Sequence, residues 1–154
     1  MGILKDTHEQ FIEGSAKEAI VQDKTVYLCY LTNIVRKEIR TKVSKVYVTT
    51  RMLKHIYDKR PAEEYEYLIN NLHTIVKYPD SIYCNLNSKR GDYCMVKKIG
   101  SYTYFSSIEI LDKHVGNQIS KSGVYVATAF RLYKENYLKK YNFVWSWKGD
   151  IPSS

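Results

Sequence analysis

The sequence predicts an α+β fold in which N-terminal helices pack on one face of a four- to five-stranded, mostly antiparallel sheet. Two observations carry that expectation. Apolar residues recur at three-and-four spacing in the first half of the chain, most clearly from Tyr65 to Val76, whereas after Pro79 they come in β-branched and aromatic runs set off by turn residues. Short links between those runs join antiparallel neighbours rather than parallel ones.

Taken in order, residues 5–20 read as a helix with Phe11, Ala16, Ala19 and Ile20 on a thin apolar stripe that Gly14 interrupts. Val26 to Leu31 and Lys45 to Thr49 are strand-like, with a basic stretch between them. Thr49 or Thr50 suits the cap of a short helix bearing Leu53, Ile56 and Tyr57 on one face. Pro61 fits a first helical position and Glu63 and Glu64 complement the positive end of the helix dipole, so a second helix runs from there until Tyr78-Pro79-Asp80 stops it. Strands are expected at about 81–86, 92–99, 102–111 and 123–131, with turns at Lys89-Arg90-Gly91, Gly100-Ser101 and Ser122-Gly123. Tyr141 to Trp147 reads as a last strand with alternating aromatics.

At 154 residues and 44% hydrophobic composition, the chain suits a single domain over 1–154, with residues 1–42 as an N-terminal helix and strand extension. No apolar run approaches the ~20 residues that cross a bilayer, and Met1 to Asp6 lacks a secretory pattern, so a cytoplasmic protein without membrane contact is expected. Cys29, Cys84 and Cys94 are odd in number and show no C-x-x-C spacing, which fits reduced thiols and argues against a zinc site. The charge is uneven. Residues 1–23 hold two lysines against five carboxylates, net −3, while residues 24–154 hold 22 cations against 11 carboxylates, net +11. That basic balance together with fifteen tyrosines suits a nucleic-acid partner. The acidic lead is either a solvated helix or a segment resting near the basic face.

Phosphate-binding loops, dinucleotide fingerprints, nucleophile elbows and H-E-x-x-H are all absent. Metal-independent chemistry is therefore the natural enzyme expectation, with no cofactor and no metal. RNA cleavage meets that condition: a ribose 2′-hydroxyl attacks its own phosphate if one group accepts its proton and another protonates the leaving oxygen, both tasks within reach of histidine near neutral pH. Pre-placed cations stabilise the phosphoryl charge. His55 and Lys59 are four residues apart and share a helix face, and Arg60 stands at the helix end. His55 as a helix-shoulder histidine that merely packs is the structural alternative; His8, His73 and His114 read more simply as solvated. Period two places Val124, Val126, Thr128 and Phe130 on one strand face, with Tyr125 and Arg131 on the other. Thr128 is then either a β-favouring filler or a hydroxyl that donates to phosphate. Lys97, Arg131 and Tyr133 are candidate substrate contacts. Tyr102, Tyr104, Tyr125, Trp145 and Trp147 join Tyr133 as rings able to stack on unpaired bases.

The order Val46-Tyr47-Val48-Thr49, Leu53-Lys54-His55-Ile56, Arg60-Pro61, Tyr78-Pro79-Asp80-Ser81-Ile82 and Val124-Tyr125-Val126-Ala127-Thr128-Ala129-Phe130 resembles the phage and mobile-element branch of the barnase, EndoU, colicin and RelE-like ribonuclease superfamily, the BECR fold. The resemblance covers about residues 43–148. It implies a small metal-independent ribonuclease, often a toxin, with a helix-borne histidine matched by His55 and a strand-borne hydroxyl matched by Thr128. Relatives resembling this pattern often carry a second histidine before the proline; here it is Arg60.

The expectation is thus an endoribonuclease acting on single-stranded or tRNA-like RNA. His55, Arg60 and Thr128 form its catalytic set, and Lys59, Lys97, Arg131 and Tyr133 bind substrate. RNA is the expected partner, with an acidic antitoxin or immunity protein as another. The competing expectation is a catalytically silent RNA-binding or protein-interaction module of a mobile element with the same fold.

Overall fold

The computed structural model describes residues 2–85, 92–111 and 122–147; the Lys89-Arg90-Gly91 turn and His114 lie outside the described residues. Four helices, α1 (Ile3–Phe11), α2 (Asn33–Glu38), α3 (Thr50–Lys59) and α4 (Ala62–Lys77), accompany strands β1 (Thr25–Tyr30), β2 (Lys45–Thr49), β3 (Ser81–Cys84), β4 (Tyr93–Ile99), β5 (Tyr102–Leu111), β6 (Gly123–Leu132) and β7 (Asn142–Ser146). A short 3-10 helix, Glu135–Lys140, separates the last two strands. Among the described residues, no helix is long and apolar enough to cross a membrane.

The fold is α+β, but the expected four- to five-stranded, mostly antiparallel sheet is corrected to a seven-stranded mixed one. Its order is β1-β2-β6-β5-β4-β3-β7, with β2 and β6 parallel and the other pairs antiparallel. Strands β1 and β2, from the start of the chain, dock beside β6 and so lengthen the later meander. The chain from α3 through β5 supplies the long crossover that a parallel pair needs.

Local chemistry accounts for most boundaries. Thr49 Oγ1 accepts the Met52 N–H at 3.1 Å, capping α3 as the sequence suggests. Thr32 does the same for the unforeseen α2, accepting from Val35 at 3.2 Å. Gly100, at φ +63°, makes the two-residue turn of the β4–β5 hairpin possible. The first helix stops at Phe11 rather than near residue 20; Gly14 follows at φ +76°, and the chain beyond is tied to α3 instead. There the buried Lys54 ammonium donates to the Ala16 carbonyl at 2.6 Å and pairs with Asp58 at 2.8 Å, while Thr50 donates to the Gln22 carbonyl at 2.6 Å.

Helices α1, α3 and α4 share one apolar core with the inner sheet face, built on Leu53, Ile56, Leu68, Leu72, Ile75, Val124, Val126 and Ala129. The sheet coils around α4, which touches β1 as well as β4, β5 and β6. A second, smaller core on the outer face joins Tyr83, Cys94, Val96 and Phe105 to Phe130, Tyr137, Leu138 and Tyr141. A β-bulge in β6 matters for function. Ser107 pairs with Thr128 but the next residue, Ile108, pairs with Val126, leaving Ala127 as an extra residue. The single face expected for Val124, Val126, Thr128 and Phe130 is therefore split. Val124, Val126, Ala129 and Arg131 face the helices, and Thr128 and Phe130 face outward.

Candidate functional site

Proline sets up the site. Because the residue before a proline avoids helical backbone, Arg60 adopts φ −108°, ψ 153° and ends α3, and Pro61 then acts as the N-cap of α4. This joint lets Arg60 reach forward to Glu64, in the first turn of α4, with Nε 3.9 Å from Oε2. Strand β2 pairs with β6 only at Val46↔Val124 and Tyr47↔Tyr125, since Thr50 already turns into α3. The later half of β6 thus presents open backbone donors on that side. Glu64 occupies this gap: Oε2 accepts the Arg131 backbone N–H at 3.0 Å and Oε1 accepts the Tyr133 hydroxyl at 2.6 Å.

Glu64 is only 1% exposed, so its charge depends on these partners and on the helix N-terminus. The hydrogen bond to Glu64, then desolvation, raises the Tyr133 pKa above the ordinary tyrosine value and keeps the phenol a donor. The Arg131 guanidinium lies 3.8 Å over the Tyr102 ring and donates to the Tyr104 hydroxyl at 3.1 Å, and among the described residues its buried Nε has no hydrogen-bond partner. Tyr104 is itself stacked on Tyr67 of α4, centroids 5.1 Å apart and planes within 7°. Arg60 rests its guanidinium 5.0 Å over Phe130. Two guanidiniums are thereby fixed on aromatic rings, Arg60 beside the buried Glu64 carboxylate and Arg131 on Tyr102 and Tyr104 while Glu64 holds its backbone N–H.

Arg60 also lines a cleft of about 530 Å³ between α1 and the α3–α4 joint. His8 lies there and shares a hydrogen bond of 2.9 Å with the Tyr65 hydroxyl, its ring centroid 5.4 Å from Tyr57 and 5.2 Å from Tyr65. Burial pushes the Tyr65 pKa up, so this phenol keeps its proton. Glu9, Glu13 and Glu66 share the cleft with Lys5 and Arg60. An anion is accordingly better received on the Arg131 side of Arg60 than here.

Of the residues picked from sequence, Arg60, Arg131 and Tyr133 converge on Glu64. His55 and Lys59 lie on the exposed side of α3, five residues and one residue before Arg60. Thr128 is on the outer sheet face opposite Ser107, its carbonyl accepting from Ser106 Oγ at 3.2 Å. Lys97 stands apart: its ammonium donates to the Tyr78 carbonyl at 2.7 Å and lies 3.5 Å from Asp80. It is still in register with the cluster, as Lys97 pairs with Tyr104 and Tyr104 with Arg131.

Glu64 and His8 were not among the sequence candidates. Glu64 reads as a dipole-favouring residue, and its position four after Arg60 across a proline was the only signal. His8 reads as solvated, because nothing local shows that α1 folds back on α4. Among the described residues, no group of three or more His, Cys, Asp or Glu is placed to hold a metal ion. Comparison with protein-family models, with curated proteins and with solved structures finds no match for this chain.

Proposed function

We propose that this chain is an endoribonuclease that cuts unpaired or tRNA-like RNA, with no metal in the reaction, by attack of the ribose 2′-hydroxyl on the adjoining phosphate. One observation supports it above the others: Arg60 and Arg131, two cations of planar geometry suited to phosphate, each lie on an aromatic ring, and the buried Glu64 carboxylate faces the Arg60 guanidinium and accepts the Arg131 backbone N–H. In this reading the O2′–P bond forms as the P–O5′ bond breaks, leaving a 2′,3′-cyclic phosphate and a 5′-hydroxyl. Arg60 and Arg131 neutralise the phosphoryl oxygens in the transition state. A proton leaves O2′ and one is delivered to the departing O5′; His55, on the exposed side of α3, carries one of these transfers and solvent the other, with Lys59 adding positive charge. Glu64 is the positioning residue: it faces the Arg60 guanidinium, accepts the Arg131 backbone N–H and accepts the Tyr133 hydroxyl. Cytoplasmic location, a toxin-like role, an acidic protein partner and kinship with the BECR ribonucleases belong to the same proposal.

The test is incubation of purified protein with mixed cellular RNA in EDTA. Cleavage that persists in EDTA and falls at least ~100-fold in His55→Ala and Arg60→Ala supports the reading. Intact RNA bound with a steep salt dependence assigns the chain instead to silent RNA-binding modules.

A further inference from the structure

A second cleft, about 490 Å³, opens where the two edges of the coiled sheet approach each other. Thr32, Ile34 and Val35, just after β1, form one wall; Tyr78, Pro79, Trp145 and Trp147, around the starts and ends of β3 and β7, form the other, with Lys77, Lys97 and the Asp80 carboxylate that pairs with Lys97 completing the lining. Trp147 is 63% exposed and Tyr78 54%, rings presented to solvent rather than used as core. The Trp147 N–H donates to the Asp80 carbonyl at 3.1 Å and the Asp80 N–H to the Val96 carbonyl at 2.8 Å, so the aromatic wall is anchored to the sheet backbone.

This cleft lies at the same end of the sheet as the Arg60–Arg131 cluster. Antiparallel pairing brings together the end of β6, the start of β5, the end of β4, the start of β3 and the end of β7. Across that end, on the face turned toward the helices, run Tyr133, Arg131, Tyr102, Lys97 and Trp147, aromatic and basic side chains together. From β6 to β7 there are four strand spacings, about 20 Å along the sheet. Such a path fits a flexible polyanion with flat, unpaired rings, because cations take phosphates and exposed aromatics take bases.

We infer that the Tyr78–Trp147 cleft receives an unpaired nucleobase of the same RNA strand whose phosphate sits at Arg60 and Arg131, a few nucleotides away. The occupant rests on the RNA reading above, but not on cleavage. Lys77, 5.6 Å from the Tyr78 ring, meets a flanking phosphate, while Lys97, held by the Tyr78 carbonyl and Asp80, fixes the aromatic wall.

The chain's two tryptophans, Trp145 and Trp147, both line this cleft, so intrinsic fluorescence reports on it directly. Uncleavable 2′-O-methyl oligonucleotides provide the probe. A hexanucleotide should quench the fluorescence, a dinucleotide should not, and Trp147→Ala and Tyr78→Ala should each weaken hexanucleotide binding about 10-fold. Hexanucleotide binding without quenching, equal binding by both variants, or no binding at all overturns the inference. Quenching by poly-glutamate in competition with the oligonucleotide also overturns it and assigns the cleft to an acidic protein. Quenching without cleavage of natural RNA sinks the nuclease reading alone; cleavage without a tryptophan response sinks the base site alone.

Discussion

Tyrosine does opposite work in two regions of this molecule. Near the β1–β2 edge, Tyr27, Tyr30, Tyr47 and Tyr125 pack on one another: Tyr47 stacks on Tyr125 at 5.3 Å, and Tyr27 meets Tyr30 and Tyr47 edge-on at 5.4 and 6.3 Å. The fit is close enough that a methyl group added at Gly123 would stand 2.6 Å from the Tyr47 ring. Burial raises the Tyr27 and Tyr125 pKa values, with neighbouring phenols adding to it. At the Arg60–Arg131 cluster, by contrast, Tyr102, Tyr104 and Tyr133 each hold a charged group: Tyr102 lies under a guanidinium, Tyr104 accepts from it, and Tyr133 donates to Glu64. One set is filler that happens to be aromatic; the other places charge. The difference lies in the neighbours, which is why a count of fifteen tyrosines could point only to a class of partner.

The largest expected effect separates the two regions by activity. Arg131→Ala should lower RNA cleavage at least ~100-fold, and Arg131→Lys should not restore it, because an ammonium cannot lie flat on Tyr102 while bonding Tyr104. Tyr47→Phe and Tyr27→Phe should leave cleavage within twofold of the parent. Equal losses in both regions, measured on one RNA at one salt concentration, would erase the distinction.

Next in size is the stability held by Glu64. Glu64→Ala leaves the Tyr133 hydroxyl and the Arg131 backbone donor without their acceptor and Arg60 without its counter-charge. About 2–4 kcal/mol of stability should be lost in urea unfolding, with no change in the slope against urea. Glu64→Gln should recover part of the stability, since an amide oxygen still accepts one bond, but less of the activity. Full recovery of both would show that the carboxylate charge is idle.

How much of this was readable in advance follows from the range of the interactions. Helix α4, the caps of α3 and the β4–β5 turn depend on neighbours within a few residues, and the sequence displays them. The last strand is legible as a strand, but its pairing with β3, the parallel pair and the Arg131–Glu64 bond join residues 58 or more apart, which period alone does not assign. Bulges defeat the reading most directly. One extra residue at Ala127 turns Arg131 toward the helices and Thr128 away from them, and a register shift between Ile82 and Tyr83 puts Trp145 and Phe143 on different cores. Arg60, Arg131 and Tyr133 were legible as polar residues in a basic, aromatic setting, whereas the carboxylate that unites them was not.

A smaller effect belongs to the alkaline limb and to the purely structural regions. Burial pushes the Cys29 thiol up to about 11 and Cys94 up to about 12. Below the unfolded value near 9.0 both states carry the proton and these thiols add no pH dependence; between 9.0 and 11–12 the unfolded chain releases protons that the folded chain retains, so stability falls as pH rises. Near pH 10 the loss is about 1 kcal/mol per thiol. Cys29→Ala and Cys94→Ala should flatten that limb in thermal unfolding. A limb unchanged in the double variant would assign it to buried phenols such as Tyr65, also raised by desolvation.

The smallest effect is also the sharpest on the opening contrast, because it removes one oxygen atom from each region. Tyr104→Phe keeps the ring stacked on Tyr67 but takes away the hydroxyl that accepts from Arg131. Arg131 already has a buried Nε without a partner, so this change leaves a second donor unmet and should cost about 1 kcal/mol. Tyr47→Phe alters only a ring that packs on rings and should stay within about 0.5 kcal/mol of the parent. Added salt divides them further: a guanidinium released from Tyr104 neutralises its phosphate less completely, so RNA binding should weaken less steeply with salt in Tyr104→Phe than in the parent, and identically in Tyr47→Phe and the parent. If both variants match the parent in stability and in salt slope, the Tyr104 hydroxyl is as structural as the Tyr47 ring, and the Arg131 guanidinium is held by the Tyr102 ring instead.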